Sequence, residues 1–342
     1  MSDLDRMLGL LEPLHKAVSK KFQTAFSNKD LVFSDTKLAL LKTRAGPTFQ
    51  LRYCPALAHK PKGNEKDAKD PKRPRFDPFA GPPSELLVAQ IPSGHALHFL
   101  VLNKYPVIHN HFIIATTANK PQTDLLELED LEMTHACLRA WQTHEHDGSS
   151  RRLYAFFNSG EHSGASQVHR HLQFLPVEDM SGSEPGPWGL LLDGMTTRAH
   201  PELPLFHDPG LPFLHFSTPL EDGPSSTDLL SKYLLLLRAA LSATEHPSQP
   251  LDQEIAIEKN GQTTFSYNLG MTRDKMAICP RRSEAVAVPG AGPESSVALN
   301  GTILAGTLMV KHEAEWNLLR ETPSLLNDML ASIGYSPATW VR

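Results

Sequence analysis

The sequence predicts an α+β protein with a mostly antiparallel sheet, and three observations predict it. Runs rich in β-branched and aromatic residues at 98–103, 111–116 and 153–157 have the length and composition of strands. Apolar stripes at 3–28, 124–143 and 226–245 have helical spacing. A Gly/Ser-rich turn at 159–166 joins the run at 153–157 to a segment with polar groups at every second position. Strand, turn and strand would place the two histidines of that segment at the edge of the sheet.

The elements follow in order. Residues 3–28 read as one amphipathic helix through Leu4, Leu8, Leu11, Leu14 and Val18. Stretches near 31–42 and 48–53 have strand or mixed character. Residues 59–75 hold Lys60, Lys62, Lys66, Lys69, Lys72, Arg73 and Arg75 among prolines and only three acids, which reads as a surface loop. Phe76-Asp77-Pro78-Phe79 closes that loop and is placed to pin it to the core. A helix over 124–143 runs through Leu125, Leu128, Leu131, Met133 and Leu138. The Gly- and Pro-rich stretch 179–212 reads as a surface loop. The helix at 226–245 carries Leu229, Leu230, Tyr233, Leu234, Leu237 and Leu241. Residues 264–269 and 275–280 form a strand pair, and 303–310 is an apolar run ending at Lys311. A last helix fits 323–333, with Pro323 near its start and Gly334 at its end.

Composition narrows the function classes. The chain has 342 residues, 40% of them hydrophobic, enough for a buried core in one large domain or two ordinary ones. A formal charge of −5 gives no general attraction to nucleic acid polymers or anionic membranes, so any anion site must be local. Three scattered cysteines, Cys54, Cys137 and Cys279, argue against a disulfide framework and for a reducing compartment. No Cys-x-x-Cys pair occurs, and no apolar run is long enough to span a bilayer. The acidic start Met1-Ser2-Asp3-Leu4-Asp5 is unlike a signal peptide. The expectation is a cytoplasmic enzyme, also compatible with the nucleus, that needs neither an organic cofactor nor a protein-bound metal.

The chemistry gathers at His169-x-His171-x-Gln173. On a strand the three side chains share one face. An isolated His-x-His is more often chance alternation on a solvated strand. The preceding Ser163-Gly164-Ala165-Ser166-Gln167 shifts that balance, because small residues let backbone N–H groups face an anion. A metal reading stays open but lacks a good third ligand, since Gln173 is a poor one for zinc. A neutral imidazole attacking phosphorus needs one ring nitrogen free and the other fixed. His144 and His146 lie in a polar stretch after a helix and read as exposed. Lys60, His111 and Asn103 each have ordinary structural readings when taken alone.

Together, Phe157-Asn158-Ser159-Gly160, the Ser163–Gln167 stretch and His169-x-His171-x-Gln173 resemble the histidine triad superfamily. More narrowly they resemble the fungal-type ATP adenylyltransferases, or diadenosine tetraphosphate phosphorylases. Arg52-Tyr53-x-Pro55-Ala56-Leu57-x-x-Lys60-Pro61, Leu102-Asn103-Lys104-Tyr105-Pro106 with His111, Gln122, Leu211-Pro212-Phe213-x-His215, Ser266-Tyr267-Asn268, Pro280-Arg281 and Asn300 to Lys311 extend the likeness. The resemblance implies a histidine-triad-like catalytic region over 1–178, and a region over 179–342 that enlarges the fold and completes the nucleotide site. It implies that His171 attacks the phosphorus next to an adenosine, that ATP departs, and that phosphate then releases ADP, reversibly. His169 would orient the site and His111 would stand behind it. Gln173 and the Ser163, Gly164, Ala165, Ser166 and Gln167 stretch would donate to phosphoryl oxygens. Leu102 and Asn103 would hold the ribose region and Lys60 the polyphosphate. Asn158, Asn300, Gly301, Thr302, Thr307 and Lys311 would complete the nucleotide contacts. Partners would be dinucleoside polyphosphates, ATP, ADP and phosphate, with Mg2+ carried by the substrate and a possible use of sulfate as acceptor.

The chain departs from the family pattern at Gly301 and Thr307, where a hydroxyl and a thioether are usual, and at Glu161-His162, where a less acidic pair is usual. Two rivals share the central motif: a histidine triad hydrolase and a uridylyltransferase. Gln173 in place of a third histidine speaks against the first. The absent proline between the histidines and the absent cysteine ligands speak against the second. A non-catalytic nucleotide sensor is the rival from another class.

Overall fold

The computed structural model describes residues 8–43, 46–58, 76–142, 151–181, 188–245, 263–293 and 295–337. The loop at 59–75, Lys60, His144 and His146 therefore lie outside the described residues. Residues 3–7 of the expected 3–28 helix lie outside the described residues; among the described ones the first helix, α1, spans Leu14–Ser27 and starts only after Pro13, its N-cap. Its buried positions Leu14, Val18, Phe22 and Ala25 make one stripe. Strands β1 (Lys37–Lys42) and β2 (Thr48–Tyr53) pair antiparallel. A short 3-10 turn, Pro55–Ala58, follows.

A ten-stranded sheet is the centre of the molecule. Its strands are β3 (Leu87–Ile91), β4 (His98–Leu102), β5 (Phe112–Thr116), β6 (Leu153–Ser159), β7 (His171–Pro176), β8 (Thr197–Arg198), β9 (Phe206–His207), β10 (Phe216–Pro219), β11 (Ser266–Met271) and β12 (Lys275–Arg281). Their spatial order is β3-β4-β5-β7-β6-β11-β12-β10-β9-β8, and each neighbouring pair is antiparallel. The antiparallel α+β class expected from the sequence is the one observed. One expectation is corrected: β7, which begins at His171, lies between β5 and β6 inside the sheet, not at its edge. Its near-continuous burial, from Leu172 to Pro176, belongs to an inner strand.

Helices α2 (Leu128–Trp141) and α5 (Ser226–Glu245) cover one face together with α1. That face buries Leu100, Phe112, Ile114, Leu172, Phe174, Leu269 and Ile278. The opposite face buries Tyr154, Phe156, Leu175, Ala277 and Cys279 against the second half of the chain. The alternation along each strand sends neighbouring residues to opposite layers. The expected surface loop at 179–212 is partly corrected. It contains α4 (Leu191–Gly194), which follows the four-residue α3 (Val177–Met180), and it buries Leu190, Leu191, Leu192, Met195 and Leu205.

The chain end departs from expectation at two places. The apolar run at 303–310 splits into a 3-10 turn, Gly301–Ala305, and a strand. The small pair β13 (Ala285–Val286) and β14 (Val297–Ala298) precedes them, so the strand is β15 (Thr307–Val310). It pairs parallel with β2, far back in the sequence. Two helices then follow where one was expected, α6 (Glu313–Glu321) and α7 (Leu325–Ile333). The first starts on a capping box in which the Glu315 side chain accepts the backbone N–H of His312. Among the described residues no helix is long and apolar enough to cross a membrane.

Candidate active site

The backbone around His171 is held on both sides. Toward β5, Thr116 N–H donates to the Arg170 carbonyl. Toward β6 the ladder stops at the Phe156–Gln173 pair, and a side chain fills the gap beyond it. The Gln122 amide, 4% exposed, accepts the His171 backbone N–H (2.8 Å) and donates to the carbonyls of Asn158 (2.8 Å) and His171 (3.2 Å). Around it, Gln122 N–H donates to Val168 and Arg170 N–H to Lys120, so the segment 120–122 acts as a short substitute strand.

The side chain of Arg170 is fully buried beside Asp130, Glu127 and Asp124. Burial works against the Asp130 charge. Hydrogen bonds from His98 and the Glu127 backbone, with the Arg170 charge, outweigh it and hold this carboxyl below the ordinary range. An interior ion network thus anchors the residue between the two histidines.

His171 itself is 3% exposed. Its Nδ1 donates to the His169 carbonyl at 2.8 Å, which leaves Nε2 as the nitrogen with an available lone pair. Desolvation pushes the imidazole down to about 4, with the His169 charge acting in the same direction and the His169 carbonyl and Asp77 opposing it. The ring is therefore neutral and nucleophilic at physiological pH. His169 precedes β7, in an isolated bridge to Pro121. Its Nε2 meets the Thr116 carbonyl and its Nδ1 meets the Asp77 carboxylate, both at 2.7 Å. One aromatic ring, Phe79, touches both imidazoles, so they share a side as the spacing expects.

A cavity of about 300 Å³ opens at Gln173, lined also by Asn103, His111, Gly164, Ser166, Asn300, Thr302 and Lys311 with the apolar Leu57, Val107, Phe156 and Leu175; the buried rings of His169 and His171 do not themselves line it. A hydrogen-bond relay sets its polar wall. Tyr105 N–H donates to Asn103 Oδ1, so the Asn103 amide turns its Nδ2 to His111 Nδ1 (3.1 Å). His111 then carries its proton on Nε2 and donates it to Gln173 Oε1 (3.1 Å). The N–H groups of Gln173 are left for a ligand oxygen.

Other expected residues serve as framework. Leu102 packs into the helix-side core, away from the cavity wall. Asn158 Oδ1 accepts from Gly301 N–H and Asn268 Nδ2 (2.8 and 2.9 Å), which ties the N-terminal strand to the C-terminal turn. The Ser163 hydroxyl donates to the Gly160 carbonyl (2.7 Å). Ala165 and Gln167 are half-buried and do not line the cavity. Thr307 is buried and donates to Gln50. Gly301 is explained by space: a Cβ there would stand 2.8 Å from Phe156 and 3.0 Å from Asn158. Gly164 has φ +79°, and its Cβ would lie 2.7 Å from the Leu299 carbonyl. Asn300 caps the 3-10 turn by accepting Thr302 N–H (3.0 Å). Asp77, Phe79, Gln122 and Arg170 received no role at the site from the sequence. The Phe76–Phe79 closure pointed toward Asp77 and Phe79, and the family resemblance included Gln122; Arg170 carried no signal.

A histidine with one nitrogen tied down and the other left to bond is suited to nucleophilic attack, and the family matches make the class an α+β nucleotidyltransferase. Residues 8–193 match the Ap4A (diadenosine tetraphosphate) phosphorylase N-terminal domain, and residues 209–336 match the ATP adenylyltransferase C-terminal domain. Similar proteins in Saccharomyces cerevisiae are Protein APA1, 27% identical over 93% of each chain, and Diadenosine 5',5'''-P1,P4-tetraphosphate phosphorylase 2, 28% identical over 95% of each. The crystal structure of yeast Ap4A phosphorylase Apa2 is similar at a TM-score of 0.74, with 26% identity over 95% of this chain and 98% of that one. The same enzyme in complex with Ap4A also matches at 0.74, with 25% identity and the same coverage. The chain belongs to the Ap4A phosphorylase family.

Proposed function

We propose that the protein phosphorolyses diadenosine tetraphosphate through an adenylyl group carried on His171. The observation that carries this reading is the tethered imidazole two residues before the cavity-lining Gln173, with Nδ1 on the His169 carbonyl and Nε2 left for chemistry. The Nε2 lone pair bonds to the phosphorus next to one adenosine, and the P–O bond to ATP breaks with its electron pair. An oxygen of inorganic phosphate then bonds to the same phosphorus, the N–P pair returns to the ring, and ADP leaves. Each step is a displacement at phosphorus, so the sequence runs in both directions. Gln173 N–H, freed by the relay through His111, donates to a phosphoryl oxygen where charge develops. Asn103 and Lys311 both line the cavity; we assign Asn103 to a ribose hydroxyl and Lys311 to the polyphosphate. We place Lys60 on the polyphosphate as well. The C-terminal region completes this nucleotide site. Magnesium would enter on the substrate's phosphates and shield their charge; among the described residues no three His, Cys, Asp or Glu side chains converge on one point.

The test is mass spectrometry after incubation with diadenosine tetraphosphate and no phosphate. An AMP adduct on His171 is expected, discharged as ADP when phosphate is added. Unchanged turnover in His171→Ala overturns the reading. Equal turnover with and without phosphate replaces it with a hydrolase.

A further inference from the structure

Phe79 and Asp77 form a strap over the nucleophile that the two-step reaction does not itself explain. Asp77 Oδ1 accepts the Phe79 backbone N–H at 2.9 Å, which closes a tight turn. Its Oδ2 meets His169 Nδ1 at 2.7 Å and accepts from Asn119 Nδ2 at 3.3 Å. So anchored, the turn buries Phe79 to 5% exposure among Val101, Ile113 and Ala115, on the sheet face that carries His171. The ring lies 5.1 Å from the His171 imidazole, tilted by 35°, and meets His169 edge-on at 5.7 Å. An apolar side chain thus packs against the His171 imidazole, on the sheet face that carries it.

We propose that this strap decides the acceptor: with Asp77 as its anchor, Phe79 excludes water from the adenylylated His171, so that the adenylyl group waits for phosphate. The inference rests on the adenylyl-histidine reading above. Water is present at about 55 M, so a transferase needs a physical barrier to it at the intermediate as well as a site for the acceptor. In the leak, a water oxygen bonds to phosphorus, the N–P pair returns to Nε2, the water proton passes to solvent, and AMP leaves in place of ADP. Phe79 acts on this step by enclosing the imidazole it packs against, and Asp77 acts by anchoring the turn that carries Phe79.

The measurement is the ratio of AMP to ADP formed from diadenosine tetraphosphate at saturating phosphate, with turnover in its absence. We expect the ratio to rise in the order wild type, Phe79→Leu, Phe79→Ala, with at least a tenfold rise in the last. Asp77→Asn should raise it too, and the variants should gain phosphate-independent turnover. A packing role alone would lower total rate at a constant ratio, and that result overturns the proposal. Should Phe79→Ala fail to fold, a wild-type ratio in Phe79→Leu and Asp77→Asn overturns it equally. The adduct on wild-type His171 is measured in parallel. Its presence with unchanged ratios rejects the strap and keeps the mechanism, whereas its absence rejects the mechanism.

Discussion

Two buried histidines make acid a specific stress for this protein. His171 and His215 are both pushed down to about 4, chiefly by desolvation. His215 is locked as a neutral ring, with Nδ1 donating to the Phe213 carbonyl and Nε2 accepting Asp208 N–H. In the unfolded chain each would titrate near 6.5, so between 6.5 and 4 the unfolded state binds protons that the folded state refuses. Stability is whole above 6.5 and falls as pH drops toward 4, at a limiting slope of about 1.4 kcal/mol per pH unit for each ring. Urea midpoints across that window should show the fall, and His215→Gln should flatten it. Activity follows a different rule. Because folded His171 stays neutral, the acid limb of kcat/KM should sit near 4, not near 6.5, if His171 is the proposed nucleophile. Gln122 offers a second residue-scale prediction. Gln122→Leu keeps the volume but strips the His171 backbone of its partners. It should cost about 2–4 kcal/mol, from buried groups left unpaired at about 1–3 kcal/mol each. Loss of alignment at Nε2 should lower kcat about 100-fold while KM changes little.

At the scale of elements, the two glycine turns decide whether the cleft closes. Gly164→Ala combines a positive φ of +79° with a Cβ 2.7 Å from the Leu299 carbonyl, so β14 and the 3-10 turn must move away. We expect a loss of about 1–3 kcal/mol and a raised KM, read from thermal melts and steady-state kinetics. Gly301→Ser would restore the hydroxyl usual in the family, but it meets Phe156 at 2.8 Å and should weaken binding. The sequence made much of this scale legible. The helix at 226–245 has its stated bounds, and the strands at 98–103 and 111–116 fall within a residue of those observed. What misled was local chemistry: Pro13 cut the first helix, and α6 was missed because its start depends on a capping box with His312, an unusual cap. The inner position of β7 could not be seen from 153–173 alone, since it depends on β5 pairing along its other side, Phe112 with Phe174 and Ala115 with His171.

At the scale of the molecule, side-chain contacts between distant segments hold the site. Asn268 Nδ2 donates to Asn158 Oδ1 and to the Ser163 carbonyl, and its Oδ1 accepts from Arg281 Nη1. Arg281 in turn donates to the Leu299 and Ser283 carbonyls. One amide therefore links the catalytic turn, the sheet centre and the C-terminal turn. Asn268→Ala should destabilise by about 3 kcal/mol by orphaning buried partners on three elements, as chemical denaturation would measure. These links explain which site residues were readable. His169, His171 and Gln173 stand close in sequence, and their spacing is their geometry. Asp77 meets His169 across 92 residues and Gln122 meets His171 across 49, and no periodicity marks such meetings.

The parallel pairing of β2 with β15 has a consequence in time. Residues 48–53 emerge from the ribosome early and must wait for 307–310 before their sheet is complete, because Gln50 pairs with Thr307 and Tyr53 with Val310. The wall carrying Asn300, Thr302 and Lys311 arrives with that same last stretch. A nascent chain can assemble its histidine strand well before then, yet it holds no finished pocket. A nascent chain that stalls before 307–310 thus lacks the partner of β2 and part of the cavity wall, which form only when that stretch docks.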